Sequence, residues 1–250
     1  MGGETVNLSF DLNDYLLIWN LLFQTSISNE TQRLKEKLWK NYRHLYKALY
    51  KEEAKILKDP KNYIPDDDTI FDMVKATDVY KKIRKETEEY RLFLMHYYDE
   101  MKNTINNYFK DIIRFDIKMY HVLVINPRFN AVEMKTVKSR KVNTISWGMM
   151  NDQNDGELAI ISIISHALRK ELKDYETDYQ EIIDGVVELA IDNELATRIK
   201  GKSYYLKGDN SLKFLKKQIY PYFLMYLGSN KDEMINYMAR DNIIFDVDNY

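Results

Sequence analysis

The sequence offers few nitrogen ligands and no sulfur ligand of the cysteine type for a metal ion. The chain has no cysteine, and its four histidines are His44, His96, His121 and His166. Any metal site would therefore have to use His, Asp or Glu. His166 lies in an apolar run that predicts a helix, and a second predicted helix containing Glu188 and Glu194 follows it. Imidazole nitrogens and carboxylate oxygens are ligands that Zn²⁺ accepts.

The segment from Gly156 to Ile199 resembles the metal-binding half of the zincin metallopeptidases. In that family, one helix with the motif H-E-x-x-H supplies two histidine ligands and a glutamate general base, and a second helix supplies a glutamate ligand. The corresponding runs here are His166-Ala-Leu-Arg-Lys170 and Asn-Glu194-Leu-Ala-Thr. The resemblance implies that His166 is the first ligand and Glu194 the glutamate ligand, with Glu188 as a less favoured substitute.

Two positions depart from the family's motif. Ala167 stands where the family has its general base, and Lys170 stands where it has the second histidine. A protonated lysine amine has no lone pair for a metal ion, so we expect no bound cofactor and no peptidase activity. We expect Lys170 to pair with Glu194 or Glu188 and to fill the space of the metal. The fold would then persist as a cleft for a peptide or protein partner.

Two other functions stay open. An active metal-dependent peptidase would hold zinc with non-standard ligands, namely His166, Glu188 and Glu194. A helical interaction or scaffold protein unrelated to the zincins would contain the same residues as a plain helix pair with His166 buried. Metal content separates the active peptidase from the inactive one, and the fold of Tyr120 to Ile199 separates both from the scaffold.

The periodicity of the apolar residues predicts helices around one small sheet. Helices are expected within 4–23 and at 28–57, 77–83, 85–114, 157–172, 179–199, 211–226 and 231–238. Strand-like runs at 119–127, 131–137 and 141–147 predict the sheet. The resemblance makes the strand that ends at Trp147-Gly148 the edge strand of the cleft.

These elements predict a predominantly helical α+β protein that forms a single compact domain over 1–250. Residues 1–116 are its helical N-terminal part. Residues 117–250 are the zincin-like part, with an antiparallel or mixed sheet, the motif helices and the C-terminal helices.

The composition is that of an ordinary globular protein. Apolar residues make up 45% of the chain, and the net charge of −2 gives no general attraction to nucleic acid or anionic membranes. Basic and aromatic residues alternate over 28–57, which we interpret as a solvated face beside a core stripe. The apolar runs are shorter than the ~20 residues that span a bilayer, and the start lacks a secretion-signal pattern. We expect a bacterial, cytoplasmic protein that binds neither nucleic acid nor membrane.

Overall fold

The computed structural model describes residues 5–24, 28–117, 119–129, 135–138, 142–148, 155–172, 180–204, 208–229 and 234–238. The described strands are β1 (Leu8–Asp11), β2 (Tyr120–Val124), β3 (Thr136–Lys138) and β4 (Asn143–Trp147). The described helices are α1 (Asp14–Phe23), α2 (Asn29–Asn41), α3 (Arg43–Leu49), α4 (Glu52–Lys58), α5 (Thr69–Lys75), α6 (Asp78–Tyr108), α7 (Gly156–Leu172), α8 (Gln180–Val187), α9 (Ala196–Lys200), α10 (Lys213–Ser229) and α11 (Met234–Met238). Two π-helical segments, Phe109–Ile113 and Glu188–Leu195, follow α6 and α8.

The four described strands form one mixed sheet in the order β1-β2-β4-β3. β2 pairs in parallel with both β1 and β4, whereas β3 pairs antiparallel with β4. Every residue of β2 and β4 is buried, as is typical of inner strands covered on both faces. The prediction of a predominantly helical α+β fold with a small mixed sheet is therefore confirmed.

The sheet differs from the predicted one in two respects. Its β1 strand comes from the N-terminal segment, where four residues of alternating burial are too short to give a strong sequence signal. The prediction that the strand ending at Trp147-Gly148 is an edge strand is wrong, because β4 pairs on both sides. Residues 131–134 and 141 of the predicted strands lie outside the described residues.

The predicted helix over 28–57 consists of three shorter helices. Tyr42 leaves helical geometry, with φ of −134° and ψ of 36°, so α2 ends before it and α3 begins after it. The chain turns again at Tyr50 and Lys51, after which α4 packs against α1. Conversely, the helices predicted at 77–83 and 85–114 are continuous in α6 and its π-helical extension.

The chain divides into two compact units. Unit 1 comprises Met1–Asn7, Tyr97–Lys118 and Glu157–Tyr250, and unit 2 comprises Leu8–His96 and Met119–Gly156. Each unit joins segments that are far apart in the sequence, whereas the predicted division at residue 117 follows chain order. None of the described helices is long and apolar enough to cross a bilayer.

In unit 2, α1 is buried along nearly its whole length. Every residue from Leu16 to Leu22 is buried, because the apolar residues of this helix leave no polar face. The sheet is closely packed where β4 ends: Trp147 is fully buried, and its Nε1 donates to the hydroxyl of Tyr90 at 3.3 Å. The next residue, Gly148, passes so close to Ile125 that a Cβ there would lie 2.4 Å from Ile125 Cγ1.

In unit 1, α7 has a broad apolar face. Its isoleucines Ile160, Ile161, Ile163 and Ile164 are all buried, as are Ala167 and Leu168. The two helices α8 and α10 pack against each other, and α10 also contacts the π-helical segment Glu188–Leu195. This packing encloses several polar side chains, which form the candidate site.

Candidate functional site

Five side chains from three elements of unit 1 form a cluster, here called the ionic site: Ser165, Arg169, Glu188, Asp192 and Lys216. Ser165 and Arg169 are one helical turn apart on α7 and therefore lie on the same face. Glu188 and Asp192 come from the π-helical segment, and Lys216 comes from α10. The site thus joins two cations and two carboxylates within largely apolar elements.

Glu188 is the centre of the ionic site. Its side chain is 5% exposed, and the Nζ of the fully buried Lys216 lies 2.7 Å from its Oε2. The Nη2 of Arg169 lies 3.5 Å from Oε1. The backbone N–H of Asp209 donates to both carboxylate oxygens at 3.2 Å. Since an unpaired buried charge costs several kcal/mol, these three partners compensate for the burial of the Glu188 carboxylate.

Gly208 allows the backbone of the loop before α10 to approach the Glu188 carboxylate closely. Its φ is +114°, and a Cβ at this position would lie 2.5 Å from Glu188 Oε2 and 3.4 Å from Lys216 Nζ. A side chain would therefore displace the carboxylate or the ammonium group. Glycine is what lets the loop come close enough for the N–H of Asp209 to donate.

Asp192 extends the network toward α7. Its Oδ2 accepts a hydrogen bond from Ser165 Oγ at 2.9 Å and lies 3.4 Å from Arg169 Nη2. Burial raises the pKa of Asp192 to about 6, although the Arg169 charge and the Ser165 hydrogen bond act in the opposite direction. Arg169 also lies 3.6 Å from Asp184, so it faces three carboxylates spaced four residues apart.

His166, the predicted first metal ligand, is partly buried on α7 beside these groups. Burial, with a further contribution from the nearby Arg169 charge, lowers its pKa to about 4. The imidazole is therefore neutral at physiological pH. A neutral imidazole can bind a metal ion, but the adjacent guanidinium opposes the approach of a dication.

The two predicted glutamate ligands have different surroundings. Glu188 reaches α7 through Arg169, whereas Glu194 accepts a hydrogen bond at 2.8 Å from Arg198, one turn further along the chain. Nothing in the described geometry joins Glu194 to His166, and their pairing stays a prediction.

The two predicted substitutes, Ala167 and Lys170, differ in their surroundings. Ala167 is fully buried, and Lys170 is partly exposed. Among the residues that the structure describes, Lys170 has no carboxylate within 4.0 Å. The cations that pair with Glu188 are Arg169 and Lys216. Arg169, and not Lys170, reaches this carboxylate because it shares the inward face of α7 with Ser165.

These residues do not fit a zinc ion. Both carboxylates of the ionic site already have cations as partners, and the lone pairs of Glu188 accept from Lys216 and Asp209. Within the described ranges, no group of three or more His, Asp or Glu side chains is arranged to hold a metal ion.

A second group of polar side chains lies on the sheet of unit 2. His121 of β2 is directly opposite Ser9 of β1, and its Nδ1 lies 2.7 Å from Ser9 Oγ and 3.0 Å from Asp11 Oδ2. A Ser-His-Asp triad places the serine and the acid at opposite ring nitrogens. Here both contact Nδ1, so this arrangement is a hydrogen-bonded cluster rather than a nucleophile with its base.

Four of the five residues of the ionic site, Ser165, Arg169, Asp192 and Lys216, were not predicted from the sequence. One signal was present, since Asp184, Glu188 and Asp192 recur every four residues in an otherwise apolar run. Such a stripe on a buried helix requires cations, but no pattern in the sequence shows which cations reach it. No protein family model, no curated protein and no solved structure matches this chain.

Proposed function

We propose that this is a zincin-like protein that has lost peptidase activity and binds a peptide or protein partner. The observation that carries the proposal is the pairing of the buried Glu188 with two cations, Lys216 and Arg169. Two monovalent side chains supply the charge that one zinc dication would bring to the same carboxylate. Such a site needs no metal ion for its stability.

The composition of α7 also supports the loss of hydrolysis. A metallopeptidase needs a general base beside the metal-bound water, and the position after His166 is the fully buried Ala167. The carboxylates of the ionic site accept hydrogen bonds from Ser165, Lys216 and Asp209 instead. Both carboxylates therefore act as acceptors for neighbouring protein groups in this network.

The proposal is tested by the zinc content and the proteolytic activity of the purified protein. After dialysis, elemental analysis should find much less than one zinc per chain, and labelled casein should stay intact with added zinc. One zinc per chain together with chelator-sensitive cleavage of casein would overturn the proposal in favour of an active peptidase with non-standard ligands.

Zincin descent is tested by restoring the motif. The double variant Ala167→Glu/Lys170→His regenerates H-E-x-x-H and should bind zinc more tightly than the parent in calorimetric titration. The matched control, Ala167→Gln/Lys170→Asn, has similar volumes without the general base or the second imidazole. If the two double variants bind zinc equally, the helices do not have zincin spacing, and a helical interaction protein explains the sequence better.

A further inference from the structure

The helices α2 and α3 of unit 2 carry a concentrated positive charge. Residues 29–51 contain seven Lys or Arg and two Glu, a local net charge of +5 in a chain whose total is −2. On α2, Arg33, Lys37 and Lys40 are separated by four and three residues and therefore share one face. At 1.5 Å per residue, these three cations extend over about 10 Å of the helix.

The cations of this surface are exposed and form no ion pair with any of the described residues. Arg33, Lys37, Lys40, Arg43, Lys47 and Lys51 are all exposed. In the part of the chain that the structure describes, none of the six has a carboxylate within 4.0 Å. Two other exposed lysines of unit 2 do have such partners, since Lys55 pairs with Glu52 and Lys81 pairs with Asp78. The exposure of these six groups leaves them accessible to carboxylates of a partner.

An exposed tryptophan lies where the two helices meet. Trp39 is 42% exposed, and its ring centroid lies 5.0 Å from Arg43 Cζ and 5.7 Å from Lys47 Nζ. Tyr46 packs edge-on against the same ring. Trp39 therefore holds two cations of α3 beside those of α2. Exposed Trp and Arg side chains are the types that dominate the binding energy of protein interfaces.

We propose that this surface binds an acidic segment of a partner protein. It is called the basic surface and is defined by Trp39 and the six exposed cations Arg33, Lys37, Lys40, Arg43, Lys47 and Lys51. The complementary chemistry is a helix with carboxylates at three- and four-residue spacing, which would place them opposite the row on α2. Arg43 can bind a carboxylate through two parallel N–H donors. The proposal goes beyond the proposed function, because it involves other residues and requires neither zincin descent nor the ionic site.

The geometry favours an acidic protein over a nucleic acid. Single-stranded nucleic acids bind where bases can stack on open aromatic faces. The Trp39 ring is already contacted by Arg43, Lys47 and Tyr46, and the Tyr50 ring packs against Trp19 and Phe23. The exposed Glu36 also interrupts the basic row, so a continuous phosphate backbone would pass a like charge.

The test measures binding of a fluorescein-labelled oligo-glutamate peptide to the full chain by anisotropy. The triple variant Arg33→Gln/Lys37→Gln/Lys40→Gln should bind roughly tenfold more weakly than the parent, as expected for three exposed ion pairs. The control variant Lys81→Gln/Lys82→Gln/Lys85→Gln removes the same charge from exposed positions of α6. It should bind as the parent does. Affinity should also fall with added salt.

Circular dichroism first establishes that both triple variants are folded, since all six positions are exposed. Two results would overturn the proposal: no binding of the peptide by the parent, or equal losses in the two triple variants. A third result would also overturn it by showing that the partner is a nucleic acid. In that case labelled oligothymidylate would bind more tightly than oligo-glutamate, and its affinity would fall only in the α2 variant. None of these results depends on zinc, so they are distinguishable from failure of the proposed function.

Discussion

A buried carboxylate is stable only when its partners offset the loss of hydration, and Glu188 has three such partners. Two are cations and one is a backbone N–H that approaches over Gly208. Glu194, six residues further along, lies near the surface and pairs with Arg198. The two glutamates therefore have different energetic roles, although the sequence motif gives both the same candidate role.

Replacing Glu188 by glutamine should destabilise the protein far more than the same change at Glu194. Glu188→Gln leaves the buried Lys216 ammonium without its counter-charge, which should cost about 3 kcal/mol of unfolding free energy. Glu194→Gln removes only a partly exposed ion pair and should cost less than about 1 kcal/mol. Urea unfolding followed by circular dichroism at neutral pH measures both. Equal losses of unfolding free energy in the two variants would show that the buried Glu188–Lys216 pair stabilises the protein no more than the partly exposed Glu194–Arg198 pair does.

The lowered pKa of His166 predicts a specific pH dependence. Its folded-state pKa of about 4 lies below the ordinary value of 6.5, so the folded state disfavours protonation. The stability that depends on neutral His166 is fully present above pH 6.5 and is lost as the pH falls toward 4. His166→Gln removes this dependence. As the pH falls from 7 to 4, the unfolding free energy of the parent should decrease by up to about 3 kcal/mol relative to that of this variant.

Asp192 supplies a control of opposite sign in the same site. Its folded-state pKa is raised to about 6 from 3.8, so its contribution is present at low pH and lost as the pH rises through 6. The parent should therefore gain stability relative to Asp192→Asn as the pH falls from 7 to 4. If both variants change in the same direction relative to the parent, a general acid effect rather than these two groups controls the stability.

At the scale of elements, long periodic segments were predictable and short or tertiary features were not. α7 (Gly156–Leu172) matches the helix predicted at 157–172, because its apolar face repeats over several turns. The 179–199 prediction corresponds to α8, the π-helical segment and α9, which together continue to Lys200. The π-helical geometry has no signal in residue types. The break at Tyr42 was also missed, since helix-forming residues continue through it and tertiary packing decides the turn.

The junction of β2 and β4 should not accept a side chain at position 148. In Gly148→Ala the new Cβ would lie 2.4 Å from Ile125 Cγ1 and 2.9 Å from the Ile125 carbonyl oxygen. Relief of this overlap requires the backbone to shift, so we expect a loss of about 1–3 kcal/mol of unfolding free energy. Chemical denaturation measures the change.

Gly228→Ala is the matched control, because a Cβ there has no atom within 4 Å and the residue lies in α10. It should leave stability unchanged or raise it by about 0.5–1 kcal/mol. A loss at Gly228 as large as that at Gly148 would show that close approach to Ile125 is not the cause.

For the whole molecule, average composition hides local organisation. The net charge of −2 predicts no preference for anions, yet the basic surface carries six cations without ion-pair partners among the described residues. In the same way, the order of the segments along the chain does not reveal the two compact units. Unit 2 takes its sheet from Leu8–Asp11 and from strands more than a hundred residues later, as the pairing of Leu8 with Tyr120 shows. Pairings at this separation depend on packing that local periodicity does not contain.

The N-terminal segment contributes to each unit, so its removal should weaken both. In unit 1 the backbone N–H groups of Thr5 and Val6 donate to Asn106 Oδ1 at 2.8 and 2.9 Å. In unit 2, β1 pairs with β2 along four residues. Deletion of residues 1–13 removes both sets of contacts, whereas deletion of 1–4 removes neither. Hydrogen exchange should become faster at Tyr120–Val124 and around Asn106 in the longer deletion only.

Asn106→Ala separates the two effects. It removes the side-chain acceptor of Thr5 and Val6 but leaves every β1–β2 hydrogen bond in place, so faster exchange should be confined to unit 1. If the longer deletion leaves the exchange of Tyr120–Val124 unchanged, β1 does not stabilise the sheet. If Asn106→Ala accelerates exchange equally in β2, the two units unfold as one cooperative structure, and the N-terminal segment couples their stabilities rather than supporting each one separately.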